Sequence, residues 1–300
     1  MAAPDAPLDE ADRSRLYGTG DDNPLQPLLR AAESGDTAAM VKLGALTHDA
    51  GERAESRRWF ERAAADGDAQ AMFALAGMCL AEDDEQAAMG WLAAASDQGH
   101  SGAMVNLGAF AAAAGDLELA ADRWERAAEL GDAFAMTNLG TLAADRGDAA
   151  AASDWWTKAA DLGDTDAMCA LADAAHVDGD SVAAQEWWRK AAQHGDPGAM
   201  YTLGSIEHEA GDAAATHRWW LAAAEHGNTS AMVNLGVLLQ QGGRSAEARE
   251  IWLEAADLGD PAAMSNLAAL ADLEQNADGA REWRDRAAAA APSVAPPDAC

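Results

Sequence analysis

Eight methionines recur at an unbroken spacing of 32 residues: Met40, Met72, Met104, Met136, Met168, Met200, Met232 and Met264. Each follows an Ala, and in the same register a Gly stands five residues earlier and a Leu three residues later, from Gly35 and Leu43 to Gly259 and Leu267. A constant period of a few tens of residues marks a chain built by stacking one supersecondary unit, because a single unit cannot bury its own apolar face. Length alone suggests one or two globular domains, and the repeat overrides that prior.

The first half of each unit reads A-M-x-x-L-G/A-x-L, as in Ala135, Met136, Leu139, Gly140 and Leu142. That spacing places the apolar residues on one side of a helix, with a minimal side chain among them where a neighbouring helix can approach. The second half reads A-x-x-W-W-x-x-A-A, as in Ala184, Trp187, Trp188, Ala191 and Ala192, which is a second amphipathic helix. Both turns pair a Gly, suited to the left-handed conformation, with an Asp placed to cap the next helix: Gly131-Asp132 and Gly147-Asp148 are an example. Pro197 and Pro261 directly follow such Asp residues, in the one turn of a helix that tolerates proline. Around Asp83-Asp84 and Asn276 the Gly is missing. Pro27 to Asp36 aligns with a second helix, so the pattern predicts a half repeat followed by eight helix-turn-helix repeats. The expected organisation is an acidic flexible leader over 1–24, an all-α, right-handed α-solenoid over 25–291 and a Pro-rich disordered tail over 292–300.

The bias towards Ala, with few Phe, Tyr and Ile, favours close-packed helices over strands. The formal charge of −31 comes from 51 acids against 20 bases, of which only Lys42, Lys158 and Lys190 are lysines. Nucleic acid and anionic membrane surfaces call for a basic footprint and are disfavoured as partners. The same acidity attracts cationic proteins, or reflects salt adaptation or a GC-rich source with no partner involved. Cys79, Cys169 and Cys300 are odd in number and form no CxxC spacing, so neither a disulfide framework nor a zinc knuckle is expected and a reducing cytoplasm fits. No signal-peptide pattern and no apolar run of membrane-spanning length occurs.

The columns M-x-x-L-G and A-x-x-x-W resemble the W-x-x-L-G and A-x-x-x-F signature of the tetratricopeptide repeat, and WWRKAAQHGDPGAMYTLG is similar to the Sel-one-like branch of that superfamily. The unit departs from the parent repeat in being shorter than about 34 residues and in carrying Asp or Asn where a late Pro is usual. The resemblance implies a superhelix whose first helices line a concave groove used as an adaptor, scaffold or peptide-binding surface.

With Met136 and Leu139 inside, the columns that begin at Val41, Lys42, Ala45 and His48 are expected to face that groove. One of them holds Lys42, Asn106, Asn138, Asn234 and Asn266. An amide both donates and accepts, so regularly spaced Asn can pair with an extended peptide backbone of any sequence. The column resembles the asparagine ladder of peptide-binding tetratricopeptide arrays; alternatively these amides bond only to their own neighbours. Tyr201 and Phe73 are candidate apolar anchors, and Phe134 either joins them or fills a packing gap. His176 and His208 share the column of His48. Equivalent residues in successive repeats lie about 10 Å apart, too far to share a metal, so they are read as solvated groove residues.

The Trp pairs at 155/156, 187/188 and 219/220 and the single Trp59, Trp91, Trp124, Trp252 and Trp283 are read as core. Arg62, Arg126, Lys158, Lys190 and Arg286 suit the negative end of the second-helix dipole. Asp97, Glu129, Asp161, Glu225 and Asp257 oppose it, and with Asp132, Asp164, Asp196 and Asp260 make an acidic edge, either solvated surface or a docking strip for a basic protein. No nucleophile elbow, HExxH, phosphate loop, dinucleotide fingerprint or EF-hand is present, so no catalytic residue, metal or cofactor is assigned. The expected function is protein or peptide binding in the groove. Alternatives are an acidic decoy for the basic surface of a nucleic-acid-binding protein and self-association through exposed end repeats.

Overall fold

The computed structural model describes residues 25–290. The expected leader and tail lie outside these residues. Seventeen helices and no strand occur among them. They fall into two compact units that divide between Ala159 and Ala160. The first unit opens with α1 (Leu25–Glu33), the expected half repeat. It continues with the pairs α2 (Thr37–Asp49) and α3 (Arg53–Ala65), α4 (Ala69–Leu80) and α5 (Glu85–Asp97), α6 (Ser101–Ala113) and α7 (Leu117–Glu129), and α8 (Ala133–Asp145) and α9 (Ala149–Asp161), the division falling near the end of α9. The second unit holds α10 (Thr165–Val177) and α11 (Ser181–Gln193), α12 (Pro197–Glu209) and α13 (Ala213–Glu225), α14 (Thr229–Gln241) and α15 (Ser245–Asp257), and α16 (Pro261–Leu273) and α17 (Ala277–Ala290). In each unit the two helices of a pair pack together, and each second helix packs on the first helix of the next pair.

Thirteen-residue helices joined by three-residue turns fill the 32-residue period without a spare residue, twelve-residue α4 being offset by the four-residue turn 81–84, and the turn chemistry explains why the register never slips. After α7, Gly131 takes φ +84°. Its N–H donates to the Ala128 carbonyl at 2.9 Å and the Asp132 N–H to Ala127 at 3.2 Å, so the last helical carbonyls are satisfied. The Asp132 carboxylate then accepts from the Ala135 N–H at 3.1 Å and opens α8. Where Gly is absent, Asp83 and Gln275 adopt the left-handed conformation themselves, with φ of 59° and 61°. Pro197 and Pro261 begin α12 and α16, each beside a capping Asp.

The core follows the sequence columns. Every Met of the repeat column is buried, and Leu43, Leu75 and Leu92 in the first unit and Leu235 in the second are wholly so. Ala63, Ala95, Ala127, Ala191, Ala223 and Ala255 also have no accessible surface. A first helix presses on a second helix at each of them, which is why Ala dominates a composition poor in larger aliphatic residues.

The Trp reading needs a correction. Trp124, Trp156, Trp188, Trp220 and Trp252 are buried, but in the preceding column only Trp59 is, while Trp91, Trp155, Trp187, Trp219 and Trp283 are half-buried. Adjacent residues on a helix point about 100° apart, so one indole of a pair enters the core and the other lies on its margin. Lys158 Nζ sits 4.1 Å from the Trp155 ring and Lys190 Nζ 3.6 Å from Trp187. Arg62 and Arg286 cover Trp59 and Trp283 in the same way. These cations, assigned from sequence to the helix dipole, therefore also shield aromatic faces.

The buried indoles explain the Gly of the first helix. A β-carbon on Gly108, Gly140, Gly204 or Gly236 would overlap Trp124, Trp156, Trp220 or Trp252, the buried Trp of the same repeat, and on Gly44 it would lie 2.7 Å from the Phe60 ring. That proximity lets the indole N–H reach back to the first-helix backbone. Trp124 Nε1 donates to the Val105 carbonyl and Trp252 Nε1 to Val233, both at 3.1 Å, and Trp220 Nε1 to Tyr201 at 3.3 Å, whereas Trp156 Nε1 is buried without a partner among the described residues.

One cap titrates. His100 stands where other repeats carry Asp or Asn, and its Nδ1 accepts from the Ala103 N–H at 3.2 Å. Nε2 must then carry the proton, which it shares with Gln70 Oε1 at 3.2 Å, while the ring stacks on Phe73 at 4.4 Å. Burial lowers the His100 pKa against the opposing pull of Asp132 and Asp68. The unfolded chain therefore binds a proton at higher pH than the folded one. The contribution of the neutral cap is complete above the unfolded value of about 6.5 and is lost as pH falls below it. Asn228 forms the same cap at 2.8 Å without titrating. His100→Asn is thus expected to flatten the fall in melting temperature from neutral pH to pH 5. Equal slopes for the variant and the wild type would show that this cap does not titrate as described.

Candidate functional site

The first helices bear the exposed columns anticipated from sequence. Asn106 on α6 and Asn138 on α8 are half-buried in the first unit, and Asn234 on α14 and Asn266 on α16 in the second. The amides of Asn106, Asn138 and Asn266 have no hydrogen-bond partner among the described residues. Asn234 is different, since its Nδ2 donates to Tyr201 Oη at 3.1 Å. Tyr201 is itself half-buried and stacks at 6.4 Å on Trp220. Of the two anchor candidates, half-buried Phe73 stacks on His100, and Tyr201 holds Asn234 and lies against Trp220. Phe134, at 66% exposure, fills no packing gap. Lys42 is exposed on α2.

His176 and His208 are exposed, yet neither is simply solvated: their rings rest against the buried Trp of their own repeats, 5.7 Å from Trp188 and 5.1 Å from Trp220. Beside this His column the first helices part into clefts. In the first unit a cavity of about 420 Å³ opens between α2 and α4, with Phe60 and Met78 at its base, the small Ala45, Ala74, Gly77 and Ala81 as walls, and His48, Asp49, Arg53 and Glu82 at its rim. In the second unit one of about 260 Å³ opens between α12 and α14, with Trp220 at its base. The two occupy the same register five repeats apart. His48, Asp49 and Phe60 are replaced by His208, Glu209 and Trp220, and Ala45, Ala74 and Ala81 by Ser205, Asn234 and Gln241.

These clefts went unread in the sequence, although His48 and His208 mark two of the registers at which they open. Their existence depends on which residues of two different helices lie opposite one another, small ones in the first cleft and mixed ones in the second, and no single column reports that.

The acidic edge divides into two kinds of residue. Asp97 and Glu129 in the first unit, and Asp161, Glu225 and Asp257 in the second, are all exposed at or beside the ends of second helices. Asp257 approaches Arg286 at 4.0 Å. The next column is structural: Asp132, Asp164, Asp196 and Asp260 all accept backbone N–H groups as helix caps. Among the described residues no group of three His, Cys, Asp or Glu could hold a metal ion, and no helix is long and apolar enough to cross a membrane. Cys169 is a poor nucleophile. Burial, followed by the Asp196 carboxylate 3.7 Å from its Sγ and by Asp173 and Asp166, pushes the thiol up to about 12, so the thiolate is scarce at neutral pH.

No protein-family model and no curated protein matches the sequence. Solved structures do. A Sel1 repeat protein from Oxalobacter formigenes is 24% identical, with 98% of this chain and 97% of that one covered at a TM-score of 0.62. The c5321 protein, a protective antigen of uropathogenic Escherichia coli with an SLR fold, is 27% identical over 87% of this chain at a TM-score of 0.54. This chain spans 63% of the length of c5321. Yeast Tom70 is 14% identical over 92% of this chain and 62% of its own, also at 0.54. The helix pairs, the capped three-residue turns and these likenesses together make the chain's fold that of the Sel1-like, tetratricopeptide-type helix-pair repeat.

Proposed function

We propose that this chain is a non-catalytic interaction scaffold that binds an extended segment of another protein along the exposed face of its first helices. The observation that carries the reading is the division of labour on those helices. The Met and Leu columns are constant and, apart from the half-buried Leu107, buried, and beside them a buried column holds only Gly or Ala, whereas the neighbouring columns are accessible, vary between repeats and border clefts of side-chain size. Half-buried amides with unused hydrogen-bonding capacity at Asn106, Asn138 and Asn266 suit the backbone of such a segment. Cleft walls rather than protruding anchors then select its side chains.

The test is a displayed library of random peptides selected on the wild-type protein, with the binders re-measured on a variant carrying Ala at Asn106, Asn138, Asn234 and Asn266. A loss of about tenfold or more in affinity, with the helical circular dichroism unchanged, is expected. Full retention of affinity would remove the amides from the binding surface. The exposed acids Asp97, Glu129, Asp161, Glu225 and Asp257 favour the second reading, a decoy for a basic protein surface. Ionic strength separates the two: groove binding persists in high salt, and binding to the acidic edge collapses steeply.

A further inference from the structure

We propose that the α12–α14 cleft is a socket for a cationic side chain, an arginine or lysine of the bound protein segment. This rests on the scaffold reading above and names what one of its subsites selects.

The hydrogen-bonding inventory of the cleft points to a donor. Asn234 turns its amide nitrogen to Tyr201 Oη at 3.1 Å, which leaves Oδ1 facing the other way as an acceptor. Ser205 spends its hydroxyl proton on the Tyr201 carbonyl at 3.0 Å, so its remaining capacity is also for accepting. Tyr201 thus consumes donors from both walls. Glu209 stands exposed at the rim with no cation paired to it among the described residues, the Gln241 amide offers a carbonyl acceptor beside its NH2 donors, and His208, the one other polar group of the lining, rests its ring against Trp220 at 5.1 Å. The base is apolar, formed by Trp220 with Val237 and Leu238 on the α14 side. A long side chain with a methylene stem and a charged, donor-only head matches that combination of apolar base and acceptor rim. The net charge of −31 raises the local concentration of such groups.

The cleft between α2 and α4 is an internal comparison. At the same register it keeps a rim acid, Asp49 in place of Glu209, but has Ala45, Ala74 and Ala81 where the second has Ser205, Asn234 and Gln241; its other rim acid, Glu82, is paired with Arg57 at 2.7 Å, and an exposed Arg53 adds a positive charge. It lacks the wall acceptors and suits an apolar side chain.

The experiment uses the full chain and pools of acetylated peptides identical except for one central residue: arginine, lysine, citrulline, norleucine or glutamate. The arginine and lysine pools are expected to bind about tenfold more tightly than the citrulline and norleucine pools, the size of one charge-assisted contact. Glu209→Gln and the double variant N234A/Q241A should each abolish that preference. Glu250→Gln, which removes the same charge from an exposed position on α15, should keep it. An equal loss in E209Q and E250Q would assign the preference to overall charge and overturn the socket. Binding of the norleucine pool with no advantage for arginine would overturn the socket and leave the scaffold reading standing. No binding by any pool would count against the scaffold reading itself.

Discussion

Gly236→Ala is expected to destabilise the protein by about 2–3 kcal/mol, the cost of overpacking and of a broken buried hydrogen bond less the helix preference of Ala. The added β-carbon would overlap the Trp252 indole and displace the N–H that donates to the Val233 carbonyl at 3.1 Å. One repeat already shows the alternative. Ala172 stands in this column opposite Trp188, and the Trp188 indole bonds no carbonyl of the described residues although it is still buried; Trp156, opposite Gly140, also keeps its buried N–H without a partner, so a repeat tolerates the loss of this bond. The substitution should therefore weaken the repeat without preventing its folding. Gly90→Ala supplies the contrast. Gly90 lies within α5, is exposed and has open space where a β-carbon would go, so Ala there should stabilise by about 0.5–1 kcal/mol. Urea unfolding of the two variants reads out the difference. Shifts of the same sign would show that helix propensity, and not the approach of the indole, decides what this column tolerates.

Trp252→Ala should cost about 3–5 kcal/mol and Trp187→Ala no more than about 1 kcal/mol. Trp252 is 1% exposed and is the largest wholly buried side chain among the described residues, so its removal leaves a cavity between helices that cannot close around it. Trp187 is half-buried with Lys190 over its face, and its loss exposes little that water cannot reach already. Midpoints of urea unfolding at constant slope give both values. Comparable losses at the two positions would refute the division of the Trp pairs into a core column and a marginal one.

Helix placement and turn chemistry are local properties, and they were legible. Gly131 followed by Asp132 states a left-handed stop and a capped start within two residues, and the same pair in register across the array sets the helix lengths and hence the period. The Met and Leu columns likewise predict burial, because a side chain at constant phase on two stacked helices must face the same neighbour in every repeat.

What only the tertiary structure decided lies where two helices meet. Sequence periodicity accommodates Trp187 or Trp188 in the core equally well; the approach of the Ala172 helix selects Trp188. Asn234 and Asn266 share one column, and although Tyr201 stands in the repeat before Asn234 where Val233 precedes Asn266, only the packing of the two helices shows that the Tyr hydroxyl reaches the amide and orients it. The two clefts exist because side chains from different helices fail to fill the space between them, a volume that no one-dimensional pattern records. The sequence by itself determined which elements form and which face of each is buried, since those follow from backbone preference and helical phase. The tertiary structure decided which residues meet and what they leave open, since that depends on distances between side chains on different helices.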